Sequence, residues 1–124
     1  DVERQSMEFL YQDGDEFVFM NQTNFEQFTL PAKVIGSLAD FMKENTKIDV
    51  LSFEGKPIHI ELPKTMDIHV SNAPPGTSSG QNSAWKEVEL ENGVKVLAPQ
   101  FIKAGDMVRV DVDQRKYLER IQEE

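Results

Sequence analysis

Residues Lys86–Gly105, KEVELENGVKVLAPQFIKAG, run directly into Asp106–Ile121, DMVRVDVDQRKYLERI. Two alternating segments meet at Asn92-Gly93, a pairing that favours a tight hairpin turn. Pro99 closes the second segment, and Gly105 turns the chain into a third. The stretch therefore predicts compact antiparallel β structure, with strands over 86–91, 94–98, 107–112 and 116–121.

Upstream, Met66, Ile68 and Val70 alternate with Asp67 and His69, which opens the same domain with a further strand. Between that strand and Lys86 lies Asn72 to Ala84, NAPPGTSSGQNSA, rich in Pro, Gly, Ser and Asn. A loop of this length inside a small domain is commonly functional or disordered. Pro63-Lys64-Thr65 marks a boundary, dividing the chain into 1–64 and 65–124.

The first half reads in the same terms. Met7–Tyr11 predicts a strand, Gln12–Asp15 a hairpin turn carrying Asp-Gly, and Phe17–Met20 a second strand. Asn21–Asn24 is a polar turn and Phe25–Thr29 a third strand. Pro31 suits a first helical turn, which Gly36 breaks. Ser37 and Asp40 have capping-box spacing, so a short helix is expected over 37–44. Asp49–Phe53 and Pro57–Leu62 form a hairpin around Glu54-Gly55-Lys56, with Ile58, Ile60 and Leu62 on one face. Phe17, Phe19, Phe25 and Phe53 are expected in the core. Each half thus carries about five short strands. The predicted fold class is all-β: two consecutive small OB-fold five-stranded barrels, with one short helix in the first.

Hydrophobic residues at 39% and charged residues at 28% of 124 are ordinary for a globular protein. No run approaches the roughly 18 apolar residues of a membrane span, and DVERQSMEF is too charged for a signal peptide. With no cysteine, disulfides and thiolate metal sites are excluded; a cytoplasmic location is the default. The formal charge of −9 argues against gripping nucleic acid by bulk electrostatics. It is uneven: residues 1–64 carry −6, and residues 65–124 carry −3. Most cations of the second half gather near its end, at Arg109, Arg115, Lys116 and Arg120. RNA contact would need such a local patch.

Chemistry-bearing residues otherwise read as structural. His59 and His69 lie on strands of different halves, without a third ligand for a metal. Asp111 and Asp113 read as same-face carboxylates on a solvated strand, and Asp13, Asp15 and Glu16 as a solvated turn. Gly76 and Gly80 precede no helix and make no dinucleotide fingerprint. Trp85 is expected to pin the long loop to the barrel rather than to stack on a base. Neither catalysis nor a cofactor is expected. Tyr117, read by pattern alone, would be core.

One pattern goes further. Lys86, Gly93, Val96, Ala98, Pro99, Ile102 and Gly105 fall at the spacings of a lysine, a glycine seven residues on, then apolar–x–apolar–Pro–x–x–apolar–x–x–Gly. This resembles the C-terminal domain of the bacterial elongation factor P family. Val88 stands where that family usually has alanine, and Ala98 where it has valine. Leu10-Tyr11, Asp13-Gly14, Phe19-Met20 and Phe25-Glu26 resemble the opening of the family's middle domain. Leu62-Pro63 into Met66–Val70, then Pro75-Gly76, resembles the junction to the third. The resemblance spans the whole chain. It implies the second and third of three β-barrel domains, both OB folds, and hence a fragment lacking the SH3-like first domain with its modified lysine.

The resemblance further implies a monomeric, non-enzymatic, cytoplasmic factor. Such a factor binds the ribosome between the exit and peptidyl sites and relieves stalling at consecutive prolines. Its third domain would lie near the small subunit and the peptidyl-site tRNA. The closing Tyr-x-x-Arg of the family matches Tyr117 and Arg120, and Arg115 and Lys116 lie beside them in sequence. Where the family reads Arg-Thr/Ser-Gly ahead of the tyrosine, Gln114-Arg115-Lys116 adds charge and lacks the glycine. Where the long loop carries Gly-Asp-Thr for exit-site mRNA, this chain has Ser78 followed by Ser79, Gly80, Gln81 and Asn82, the loop's candidate RNA-facing residues. Both departures also occur in the elongation factor P-like paralogue, which is one alternative. The other is a protein-binding OB module that touches no RNA. An exposed Tyr117 beside Arg115 and Arg120 favours RNA; a Tyr117 buried under the loop favours the module.

Overall fold

A computed structural model describes residues 1–76 and 84–123. It divides into two units, Asp1–Pro63 and Lys64–Glu124. The first contains β1 (Val2–Asp13), β2 (Glu16–Asn21), β3 (Gln27–Pro31), α1 (Ala32–Ile35), a 3-10 segment (Gly36–Phe41), β4 (Lys47–Phe53) and β5 (Lys56–Glu61). Its strands form one antiparallel sheet in the order β3-β2-β1-β4-β5. The second contains β6 (Thr65–Asn72), β7 (Trp85–Leu90), β8 (Lys95–Pro99), β9 (Met107–Asp111) and β10 (Lys116–Ile121), in the order β10-β9-β6-β7-β8. Counted from each unit's own first strand, the two orders are the same. This is the two-barrel, all-β architecture expected from the alternation, with a short helical stretch, α1 and the 3-10 segment, in the first unit.

The first unit is built on phenylalanine. Phe9 packs on Phe17 and Phe19 with ring centroids 5.5 and 5.6 Å apart, and Phe19 stacks on Phe28 at 5.4 Å. Met7, Leu30, Ile48, Val50 and Ile60 complete this core, and Ile35, Leu38 and Ala39 pack onto it from the segment between β3 and β4. The second unit has no helix between β8 and β9 and uses branched side chains: Ile68, Val70, Val88, Val96, Ile102, Val108 and Val110 are all buried.

Several elements differ from expectation. β1 extends well beyond 7–11, because its first half pairs with β4 while its second half pairs with β2. β3 starts at Gln27 rather than Phe25. Phe25 instead sits in the turn, at φ 63, with its N–H donating to the Asn21 carbonyl at 2.9 Å. Its side chain is 68% exposed, and Phe53 at the end of β4 is exposed too, so neither belongs to the core. The expected helix over 37–44 is a 3-10 segment opening at Gly36, with Ile35 rather than Ser37 at its N-cap. Gly36 does break the chain there, at φ 61.

Ile58 does not share a face with Ile60. Ser52 pairs with Pro57 and Leu51 with His59, so Ile58 is the extra residue of a bulge and is 58% exposed. Asp113 lies beyond β9, in the turn before β10, not beside Asp111 on a strand. The Asp111 carboxylate accepts the Gln114 N–H at 2.7 Å and so shapes that turn.

These placements set the sensitivity of each site. Ile102 is fully buried, so Ile102→Ala is expected to cost about 2–5 kcal/mol through lost transfer and a residual cavity. Ile58→Ala, at an exposed bulge, is expected to change stability by less than about 0.5 kcal/mol. Urea unfolding of the two variants beside the parent chain checks both.

Candidate nucleic-acid interface

Tyr117 and Arg120 lie three apart on β10, and in a regular strand an odd separation would put them on opposite faces. The strand is not regular. Tyr117 pairs with Val110 and Glu119 with Arg109, leaving Leu118 as an extra residue; Arg120 then pairs with Val108. Val110 and Val108 both face the core. The bulge therefore brings Tyr117 and Arg120 onto one face, and sends Glu119 to the other with Arg109.

Around that pair the second unit gathers aromatic side chains. The Trp85 ring meets Tyr117 edge-on, with centroids 6.5 Å apart and planes at 67°. The Arg120 guanidinium lies 5.2 Å from the centroid of the Phe101 ring, a cation–π contact. Phe101 is 55% exposed and Trp85 51%. Tyr117 is half-buried. Burial pushes its hydroxyl above the ordinary phenol pKa; the Arg120 charge and a backbone hydrogen bond from Arg120 pull it down, and Glu119 and Asp106 push it up.

The cations at the chain's end are not equivalent. Arg109 donates to both carboxylate oxygens of Asp67, at 2.8 and 3.2 Å, and lies 3.6 Å from Glu119. The hydrogen bond from Arg109 holds the Asp67 carboxyl below its usual range. Arg109 thus serves a solvent-facing ion-pair network and leaves the expected patch. Lys116 is exposed at the start of β10, paired in register with Asp111. Arg115 precedes it in the turn at φ 55, so the left-handed geometry that glycine adopts without strain persists here with a cation in its place. Ser79, Gly80, Gln81 and Asn82 lie outside the described residues.

The stem of the long loop is described and firmly held. Lys86 Nζ donates to the Pro74 carbonyl at 2.6 Å, and Gln100 Nε2 donates to the Trp85 carbonyl at 3.0 Å. A Cβ on Gly76 would come within 3.1 Å of the Gln100 carbonyl oxygen, so any larger residue there would need that neighbour to shift slightly. Beside the stem, Asn72, Pro74, Glu87, Val88, Glu89 and Lys95 line a groove of about 260 Å³. With two carboxylates against one ammonium, it is poorly suited to a phosphate.

His69 lies against two carboxylates, 3.4 Å from Glu91 and 3.0 Å from Glu123. Among the described residues no group of three or more metal-ligating side chains gathers, and no helix is long and apolar enough to cross a membrane.

Sequence reasoning underrated Phe101 and Trp85. Phe101 follows the strand-closing Pro99 by two residues, outside any alternation that would mark it. Proximity in sequence ties Trp85 to the loop; its ring also meets Tyr117 of β10, a contact that strand alternation does not mark.

The fold and this face define a pair of OB-type domains, the second presenting tyrosine, arginine and exposed aromatics together. Comparison with known proteins specifies the class. Residues 2–60 match the family model of the elongation factor P (EF-P) OB domain, and residues 66–120 match that of the elongation factor P C-terminal domain. The chain is 40% identical over 121 residues to the elongation factor P of Rhodospirillum centenum, covering 96% of this chain and 64% of that protein. It is 36% identical to those of Beutenbergia cavernae and Mycolicibacterium smegmatis, covering 97% of this chain and 65% of each. The chain belongs to the elongation factor P family, and it spans about two thirds of the length of these relatives.

Two outcomes follow from the turn and the tyrosine. Arg115→Gly relieves the left-handed strain but gives up the side chain's own contacts, so stability is expected to change by less than about 1 kcal/mol; thermal unfolding checks it. Tyr117 is expected to titrate above the ordinary phenol value of about 10. The unfolded chain then loses this proton first, so stability falls as pH rises past about 10. Arg120→Ala removes a charge that favours the phenolate, and should move the titration higher still. Phenolate absorbance, read against Tyr117→Phe, follows both.

Proposed function

We propose that residues 1–64 and 65–124 act as the second and third domains of a translation elongation factor. It binds the ribosome beside peptidyl-site tRNA and promotes peptide-bond formation at stalling, proline-rich sequences. In this reading the two domains contribute position rather than bond chemistry, and work in the cytoplasm. The third domain meets the small subunit and the tRNA backbone through Tyr117 and Arg120, with Arg115 and Lys116 adding positive charge at the β9–β10 turn.

The observation that carries the reading is the Leu118 bulge. It sets a phenol and a guanidinium side by side on one face, at the two positions matching the family's Tyr-x-x-Arg. A guanidinium offers planar, forked donors suited to phosphate, and a tyrosine ring can stack or hydrogen-bond on RNA. Family membership favours this over a protein-binding OB module. Tyr117, half-buried with its hydroxyl under the influence of the Arg120 charge, is compatible with an RNA contact.

Co-sedimentation of the chain with ribosomes, vacant and carrying peptidyl-site tRNA, tests the proposal. Pelleting is expected to depend on the tRNA and to fall at least tenfold in a Tyr117→Ala/Arg120→Ala double variant. Equal pelleting of variant and parent would move the contact elsewhere. Absence of pelleting at moderate salt, even with an SH3-like domain of the family fused ahead of Asp1, would favour the protein-binding module.

A further inference from the structure

We propose that Phe101 is a positioning residue for Arg120: its ring holds the guanidinium in place while leaving its N–H donors to a backbone phosphate of RNA. This rests on the reading that the Tyr117–Arg120 face meets RNA. It deepens that reading with a residue outside the Tyr-x-x-Arg motif and on another element of the same unit.

The turn after β8 fixes where the ring starts. Pro99 ends β8, the Ile102 N–H donates to the Pro99 carbonyl at 3.1 Å, and the Ile102 side chain is fully buried. On the other side, the Gln100 side chain donates to the Trp85 carbonyl at 3.0 Å. Phe101 is thus anchored through both neighbours, yet its own ring stays 55% exposed. The core does not claim that ring. It lies instead beneath Arg120, whose guanidinium carbon is 5.2 Å from the ring centroid.

Arg120 differs from two other strand arginines in how it is held. Arg4 donates to Asp49 and Glu61, and Arg109 donates to Asp67. Carboxylates occupy those donors and offset those charges. Arg120 takes part in none of the ion pairs among the described residues. A guanidinium over a ring is attracted through its charge, so its forked donors remain for an oxyanion. A carboxylate in the place of Phe101 would hold the arginine too, but would cancel the charge that a phosphate needs.

What the ring supplies is preorganisation. The Leu118 bulge sets the Arg120 backbone on the face of Tyr117, but a long side chain keeps its rotamer freedom until something confines it. An arginine already confined gives up less of that freedom on binding. Placement matters more here than in a basic protein, because a chain of net charge −9 repels nucleic acid at long range. The full chain and its variants are titrated against ribosomes carrying peptidyl-site tRNA at fixed salt, with affinity read from the pelleted fraction. Phe101→Leu and Phe101→Met keep an apolar side chain without a ring, and each is expected to weaken binding about two- to fivefold. Phe101→Tyr, which keeps the ring, should retain most of the parent's affinity. In an Arg120→Ala chain, Phe101→Leu should have no further effect, since the two residues act through one contact. In the free chain, the Phe101 ring current should displace the Arg120 side-chain proton resonances, and Phe101→Leu should return them toward unstructured values. Circular dichroism melts establish that the variants fold.

If Arg120→Ala weakens binding while Phe101→Leu and Phe101→Met bind as the parent, the RNA reading stands and the positioning role falls. That role also falls if Phe101→Leu costs as much in the Arg120→Ala chain as in the parent, because the ring then acts without the arginine. If Tyr117→Ala/Arg120→Ala pellets as the parent does, the RNA reading falls and the positioning role with it. The same holds if the parent fails to pellet even with an SH3-like domain of the family fused ahead of Asp1.

Discussion

Each unit depends on its first strand pairing along both edges. β1 pairs with β4 through Val2–Glu8 and with β2 through Met7–Asp13, so Met7 and Glu8 are held from two sides. β6 does the same with β9 and β7. A domain of about 60 residues has few ways to satisfy its backbone donors and acceptors while curling a sheet around a core. A long central strand, gripped by different neighbours along its length, is one of them. The same strand order supports two unlike interiors. Phenylalanine fills the first, with help from the segment after β3. The second is packed with valine and isoleucine, and Ile102 fills its centre from the turn after β8.

Most of this architecture was legible because alternation and turn chemistry are local. Val88 and Leu90, then Val94, Val96 and Ala98, with Gly93 at φ 85 between them, form the hairpin that the sequence around Asn92-Gly93 calls for. What could not be read was any feature that breaks the period of two. Leu10, Ile58, Ser71 and Leu118 are each the extra residue of a bulge, and nothing in their identity marks them. A bulge interrupts the alternation at its extra residue, which is why Ile58 does not share the face of Ile60 as simple alternation predicts. Phe25 failed for another reason. The Asn21 side chain accepts the Thr23 and Asn24 N–H groups, tightening a turn that forces the next residue left-handed and outward, against the ordinary preference of an aromatic side chain.

The charged residues show how an acidic chain can keep positive charge local. Arg4 is shared by Asp49 and Glu61 across β1, β4 and β5, and Arg109 by Asp67 and Glu119 across β9, β6 and β10. Such exposed pairs add little stability. Their consequence is spatial: they confine these arginines to the outer faces of the sheets. Arg120 is held differently, over an aromatic ring, where its charge is not cancelled by a carboxylate at contact distance among the ion pairs described. Sequence counting put Arg109 and Arg120 in one patch. Strand register separates them, because residues one apart in pairing face opposite ways.

The same reasoning explains how Tyr117 and Arg120, three apart in sequence, come to share a face at all. On a regular strand that spacing is self-defeating, with one side chain inward and the other outward. Leu118 removes the contradiction by occupying a position with no partner on β9, and is itself left largely in solvent. Bulges are found where a strand must re-aim a side chain, and here the re-aimed residue is the arginine. The turn before β10 keeps a comparable tension, with Arg115 in a conformation that glycine would hold more easily.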